Sequence, residues 1–143
     1  MSGTNDKSQR PAILIVEDQL VMRGLLRNLV HTAFPDCVIL EAANGANGMQ
    51  MCAEHSPQLV LMDVGLPDAN GIELTGRLKA LMPGLSVIVV TFHSSQSYIE
   101  QAFAAGACAY VVKDRLLSTL IPAVADALGI APLGSDVPPG RAS

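Results

Sequence analysis

The chain has 143 residues, enough for one domain with its own core and too few for two comfortable ones. Half of it is hydrophobic, there is no Trp, and the net charge is -4, so it offers no clustered basic surface of the kind that displaces counterions from nucleic acid. Its apolar runs are strand-sized rather than the ~20 residues of a membrane span, and the polar opening MSGTNDKSQR carries no secretory signal. Cys37, Cys52 and Cys108 form neither a CxxC pair nor a Cys-His ligand spacing, which suits a reduced, cytoplasmic protein that contacts no membrane.

Residues 1–10 read as a flexible N-terminus. Pro11 then opens AILIVED, a continuous apolar run too short for a helix and ending in two acids, the pattern of a strand covered on both faces. From Leu20 to His31 the residues Val21, Leu25, Leu26, Leu29 and Val30 follow helical spacing, leaving Arg23 and Arg27 for water, and Pro35 and Asp36 stop the helix. CVILEAA is the second strand. NGANGMQMCAEHSP is a helix with Met49, Cys52 and Ala53 on one face.

QLVLMD is the third strand, followed by a turn-rich loop and a helix striped by Leu74, Leu78 and Leu81. LSVIVVTF is the fourth. A helix between Ser94 and Gly106 carries Ile99, Ala102 and Phe103, with Gly106 closing it in a left-handed conformation. CAYVVK is the fifth strand. In the last helix Pro122 poses a choice: either Ser118 caps a helix whose first turn contains the proline, or the helix kinks. Residues 130–143, APLGSDVPPGRAS with the preceding Ile130, have linker composition. The domain is expected over 11–129.

Five strands alternating with five helices imply a parallel sheet wound on both faces, with its functional crevice at the carboxyl ends of the strands. Those ends carry Glu17 and Asp18, Asp63, Thr91 and Lys113. Three carboxylates on one rim repel, each pair by about 4 kcal/mol at ~4 Å and an effective dielectric near 20. Lys113 alone cannot balance them. Hard oxygen donors without imidazole or thiolate favour Mg2+ as the missing cation. A carboxylate beside such an ion, an ammonium and a hydroxyl is equipped for phosphoryl transfer, with Asp63 as nucleophile.

IVED, LMDVGLPDANGIEL, VVTF and AGACAYVVKD, in that order, resemble the receiver domain of two-component response regulators over about residues 11–129. The resemblance implies a flavodoxin-like fold with strand order 2-1-3-4-5. It implies a signalling domain rather than an enzyme, in which Asp63 accepts a phosphoryl group from a sensor histidine kinase. Asp18, Asp63 and the carbonyl of Gly65 would ligate Mg2+, with Glu17 acting through a bound water. Thr91 and Tyr110 would be the switch pair, and Lys113 would contact the phosphoryl group. Homodimerisation on phosphorylation is a further implication.

The lysine-aspartate ending looks like the receivers of the NarL and LuxR type, which precede a helix-turn-helix domain. On that reading this segment is the N-terminal part of a transcriptional regulator and touches DNA only through an absent output domain; the alternative is a stand-alone receiver acting by protein binding or phosphorelay. Pro67 and Gly71 suit the sharp turn after Asp63, and Asp68 is expected to bond its own backbone within that turn. Two positions depart from the family pattern. Phe92 stands where many receivers have a small residue and narrows the pocket mouth; Asp114 stands where many have proline. His31, His55 and His93 share no metal spacing. A flavodoxin would need phosphate-binding hydroxyls and glycines where EDQLVMR stands. A haloacid-dehalogenase-type phosphatase would need an acid at Gly65.

Overall fold

The structure, a computed structural model, describes residues 10–134. Strands β1 (Ala12–Val16), β2 (Val38–Ala42), β3 (Leu59–Met62), β4 (Ser86–Thr91) and β5 (Ala109–Val112) form one parallel sheet in the order 2-1-3-4-5. Helices α1 (Leu20–Ala33), α2 (Gly45–His55), α3 (Gly71–Leu81), α4 (Gln96–Ala105) and α5 (Leu116–Leu128) make the crossovers, with a 3-10 turn at Lys113–Arg115 leading into α5.

Alternate strand residues point to opposite faces, and both faces are covered. Ile13, Ile15, Leu59, Leu61, Ile88 and Val90 meet Leu26 and Val30 of α1 and Leu120 and Val124 of α5. Leu14, Val16, Val60, Met62 and Val87 meet Cys52 of α2 and Leu74 and Leu78 of α3. Val89 meets Ala102 of α4. This double burial is why the strand segments read as unbroken apolar runs. Asn44, Asn70 and Ser95 cap α2, α3 and α4 by accepting from backbone N–H groups in the first turn. Gly106 closes α4 at φ 113, as its position in the sequence predicts.

Several helix-face expectations are corrected. On α1 only Leu26 and Val30 are buried, whereas Val21 is 86% exposed and Leu25 also faces out, because the sheet covers a narrower stripe than the apolar run supplies. Arg23 is not left to water: its guanidinium donates to the Glu17 carbonyl at 2.8 Å and to Glu41 at 3.0 Å. On α2 the inner face is made by Gly45, Gly48 and Cys52, and Ala53 is exposed. A Cβ on Gly48 would press on Val16 at 3.0 Å, so the helix lies close to β1 because of that glycine. Leu81 and Phe103 are exposed rather than core.

Ser118 does not cap α5, since the 3-10 turn starts the helix two residues earlier and Thr119 and Ser118 both donate to the Arg115 carbonyl. Pro122 therefore sits inside the helix, where its missing N–H leaves one carbonyl without its usual donor. The expected tail is not wholly linker. Ile130 packs against the core and the Leu133 N–H donates to the Ala33 carbonyl at 2.7 Å. Residues 1–9 of the expected flexible N-terminus and 135–143 of the expected tail lie outside the described residues. Among the described residues no helix is long and apolar enough to cross a membrane.

Candidate functional site

Parallel strands of matched register deliver their C-terminal ends to one rim. Val16, Met62 and Val89 lie side by side through β1, β3 and β4, so Glu17 and Asp63 emerge next to each other. The ladder extends one step past the strands: the Asp63 N–H donates to the Val16 carbonyl at 3.1 Å and the Glu17 N–H to the Ala42 carbonyl at 3.0 Å. Carboxylate oxygens of Glu17, Asp18 and Asp63 all lie within 4.8 Å of one another.

Lys113 reaches this cluster from the end of β5. Its Nζ donates to Glu17 Oε1 at 2.7 Å and stands 3.4 Å from Asp63 Oδ2. Glu17 is fully buried, and its other oxygen accepts from the Gln19 N–H at 3.0 Å. Burial pushes the Glu17 carboxyl above its ordinary range, and the Lys113 hydrogen bond pulls the other way. Asp18 is half-buried at the edge and Asp63 is 8% exposed, so the acids graduate from hidden to accessible.

Thr91 and Tyr110 meet through a shared neighbour. The Thr91 hydroxyl accepts from the His93 N–H at 3.3 Å, and the Tyr110 hydroxyl donates to the His93 carbonyl at 2.7 Å. Both expected switch residues thus hold the loop between β4 and α4 by one peptide unit on each side of His93. Burial, with Tyr98 nearby, raises the Tyr110 phenol above its ordinary range. Asp18, Asp63, Thr91, Phe92 and Lys113 line one open cleft of about 580 Å3, and Gly65 lies on its wall.

The loop after Asp63 folds back on itself. Gly71 N–H donates to the Val64 carbonyl at 2.9 Å, and Gly65 bridges to Asn70. A Cβ on Gly71 would collide with the Asp63 carbonyl, so only glycine lets the start of α3 pass this close to the acidic tip. Asp68 does more than the sequence suggests. Beside the bond to its own backbone expected within the turn, its carboxylate accepts from Gly45 N–H at 2.7 Å and Ala46 N–H at 2.9 Å, at the start of α2. Those bonds hold its carboxyl below the usual range.

Sequence reasoning also missed Arg23 and Gln19, which brace the Glu17 main chain and side chain. The Arg23 spacing, six residues along the chain, gives no local signal for that contact. The chemistry of the cluster fits a hard divalent ion: three clustered carboxylates, one ammonium, and no thiol or imidazole among its ligands.

The model of the response regulator receiver domain matches residues 13–125. The chemotaxis protein CheY of Halobacterium salinarum is 33% identical over 116 residues, covering 81% of this chain and 95% of that protein. The transcriptional regulatory protein LnrK of Bacillus subtilis is 32% identical over 112 residues, covering 78% of this chain but 51% of that protein. The chain thus spans nearly all of one kind of relative and about half of the other. A LuxR-family two-component response regulator from Aurantimonas sp. SI85-9A1 superposes with a TM-score of 0.77 at 28% identity, covering 86% of this chain and 89% of that one. A CheY-like receiver domain protein from Methanospirillum hungatei JF-1 gives 0.69 at 28% identity, over 78% and 91%. With a family model spanning most of its length, and an acidic rim on a sheet of order 2-1-3-4-5, this chain belongs to the response regulator receiver domains.

Proposed function

We propose that Asp63 is the phosphoacceptor of this receiver and that a sensor histidine kinase is its phosphodonor. The observation that carries this reading is the convergence of Glu17, Asp18 and Asp63 within 4.8 Å, with the Lys113 ammonium placed between Glu17 and Asp63. Asp63 is the carboxylate that both lines the cleft and touches that ammonium. In the transfer, an Asp63 carboxylate oxygen forms a bond to phosphorus as the phosphorus–nitrogen bond of a phosphohistidine breaks, leaving an acyl phosphate and a histidine.

Asp18, Asp63 and the Gly65 carbonyl would hold Mg2+, with Glu17 joining through water. Bound there, the ion supplies positive charge that offsets the clustered acids and the transferring oxygens. Lys113 orients the acceptor by its contact with Asp63 and stays near because Glu17 anchors it. Thr91 lies at the cleft with its hydroxyl oxygen accepting from the His93 N–H, and its hydroxyl hydrogen can be donated to a phosphoryl oxygen. Turning the hydroxyl toward that oxygen would release the His93 N–H while Tyr110 still holds the His93 carbonyl, biasing the loop between two arrangements.

The domain runs over 11–129. Among relatives occur both a chemotaxis protein that the chain covers almost entirely and transcriptional regulators of which it covers about half. The similarity to LuxR-family regulators supports an N-terminal receiver in a transcriptional regulator; a cytoplasmic location and dimerisation on phosphorylation go with that reading. The full-length match to the chemotaxis protein supports the stand-alone alternative.

Mass spectrometry after treatment with a small phosphodonor and Mg2+ tests the acceptor. One phosphoryl group is expected on Asp63, and none in the Asp63→Asn variant. Label of unchanged yield in that variant would refute the assignment.

A further inference from the structure

Phe92 is a large apolar side chain left 59% exposed, and the acceptor reading gives it no task. Its ring is not stray. The centroid lies 5.2 Å from Lys113 Nζ, and the Lys113 side chain is only 4% exposed although it lines an open cleft. The ammonium has Glu17 and Asp63 on its inner side and the aromatic ring as a further neighbour. The negative face of an aromatic ring attracts an ammonium while denying it water.

The loop that carries the ring is fixed from several directions. His93, the next residue, is held at its N–H by Thr91 and at its carbonyl by Tyr110, and its imidazole lies 4.5 Å from the Tyr98 ring at 49°. The ring is therefore set in place by the loop that the hydroxyl pair grips on both sides of His93.

We propose that Phe92 is a positioning residue: its ring forms a roof over the Lys113 ammonium, keeps it dry and seated against Glu17 and Asp63, and thereby prolongs the life of a phosphoryl group on Asp63. The second half rests on the acceptor reading above; the first does not. Because the ring rides on the loop between β4 and α4, rearranging that loop lifts the roof.

Two measurements on the full 143-residue chain separate these parts. In unphosphorylated protein, NMR of the Lys113 Cε and its protons is expected to show a ring-current displacement that Phe92→Leu abolishes and Phe92→Tyr retains. Lys113 signals that are the same in the native chain and in Phe92→Leu overturn the roof. In phosphorylated protein, the label on Phe92→Leu is expected to be lost about threefold faster than in the native chain, with Phe92→Tyr restoring the native lifetime. Equal lifetimes in all three chains overturn the protective role. Failure of the native chain to take label would instead overturn the acceptor reading, while the NMR comparison still decides the roof.

Discussion

Glu17 and Lys113 are the most deeply buried ionisable pair of the rim, with side chains 1% and 4% exposed. Neither is tolerable alone there, since removing one partner of a buried pair typically costs about 3 to 5 kcal/mol. Asp18 is different, because among these acids it is the one that lies at the half-exposed edge and adds repulsion without joining the Lys113 contacts. Asp18→Asn is therefore expected to stabilise the protein in the presence of a chelator, by about 1 to 3 kcal/mol. With Mg2+ in excess, the native chain should gain more stability than the variant, because binding to the folded state alone adds to its stability. Urea denaturation of both chains with and without Mg2+ measures this. Destabilisation by the substitution in chelator would show that the acids are not in net repulsion.

Elements inherit their positions from contacts of very different range, and that difference decides what a sequence can disclose. The strand tips were legible because a buried parallel strand needs nothing but a short apolar run, so AILIVED, QLVLMD and LSVIVVTF announce Glu17, Asp63 and Thr91 by their endings. The order of the strands was carried by family resemblance instead. Helix faces were less legible: Val21 and Leu25 share the period of Leu26 and Val30 but stand at the cleft. The reach of Asp68 beyond its own turn was not legible, because Gly45 and Ala46 are more than twenty residues away. That clasp ties the loop after Asp63 to the start of α2. Asp68 has a folded value depressed below 3.8, so its stabilising contribution is present above that ordinary value and is lost as pH falls through the folded one. Asp68→Ala should accordingly be less stable than the native chain at neutral pH, with the gap closing below pH 3.8. Urea midpoints across this range check it; a gap that stays constant would mean that the charge of Asp68 is not what holds α2.

At the scale of the whole molecule, the sheet separates two ends with different tasks. The acids occupy the ends of the strands, while the chain leaves α5 at the opposite end, beside Pro11 and the close of α1. Composition alone made the segment after Gly129 look like linker, yet Ile130, Ala131 and Leu133 line a cavity of about 210 Å3 with Pro11, Phe34 and Cys37. What composition could not show is that the Ala33 carbonyl, at the end of α1, takes the Leu133 N–H. The segment thus acts as a strap over Cys37, which is 6% exposed and whose thiol burial pushes above its ordinary range. Thiol reagents attack the thiolate and need access. In the native chain Cys108, the exposed cysteine, should react first. Ile130→Asp combined with Leu133→Pro removes both the apolar contact and the donated N–H, and Cys37 should then react at least tenfold faster, by about the factor that ~1.4 kcal/mol of lost local stability gives. Cys52 is an internal control, because it lies on the inner side of α2, against the other face of the sheet, and its thiol is pushed up to about 11 by burial. Mass-resolved alkylation that accelerates at Cys37 alone identifies release of the strap; acceleration at Cys37 and Cys52 together would instead mean that the whole domain opens, and no change at either would mean that the strap does not cover Cys37 in solution.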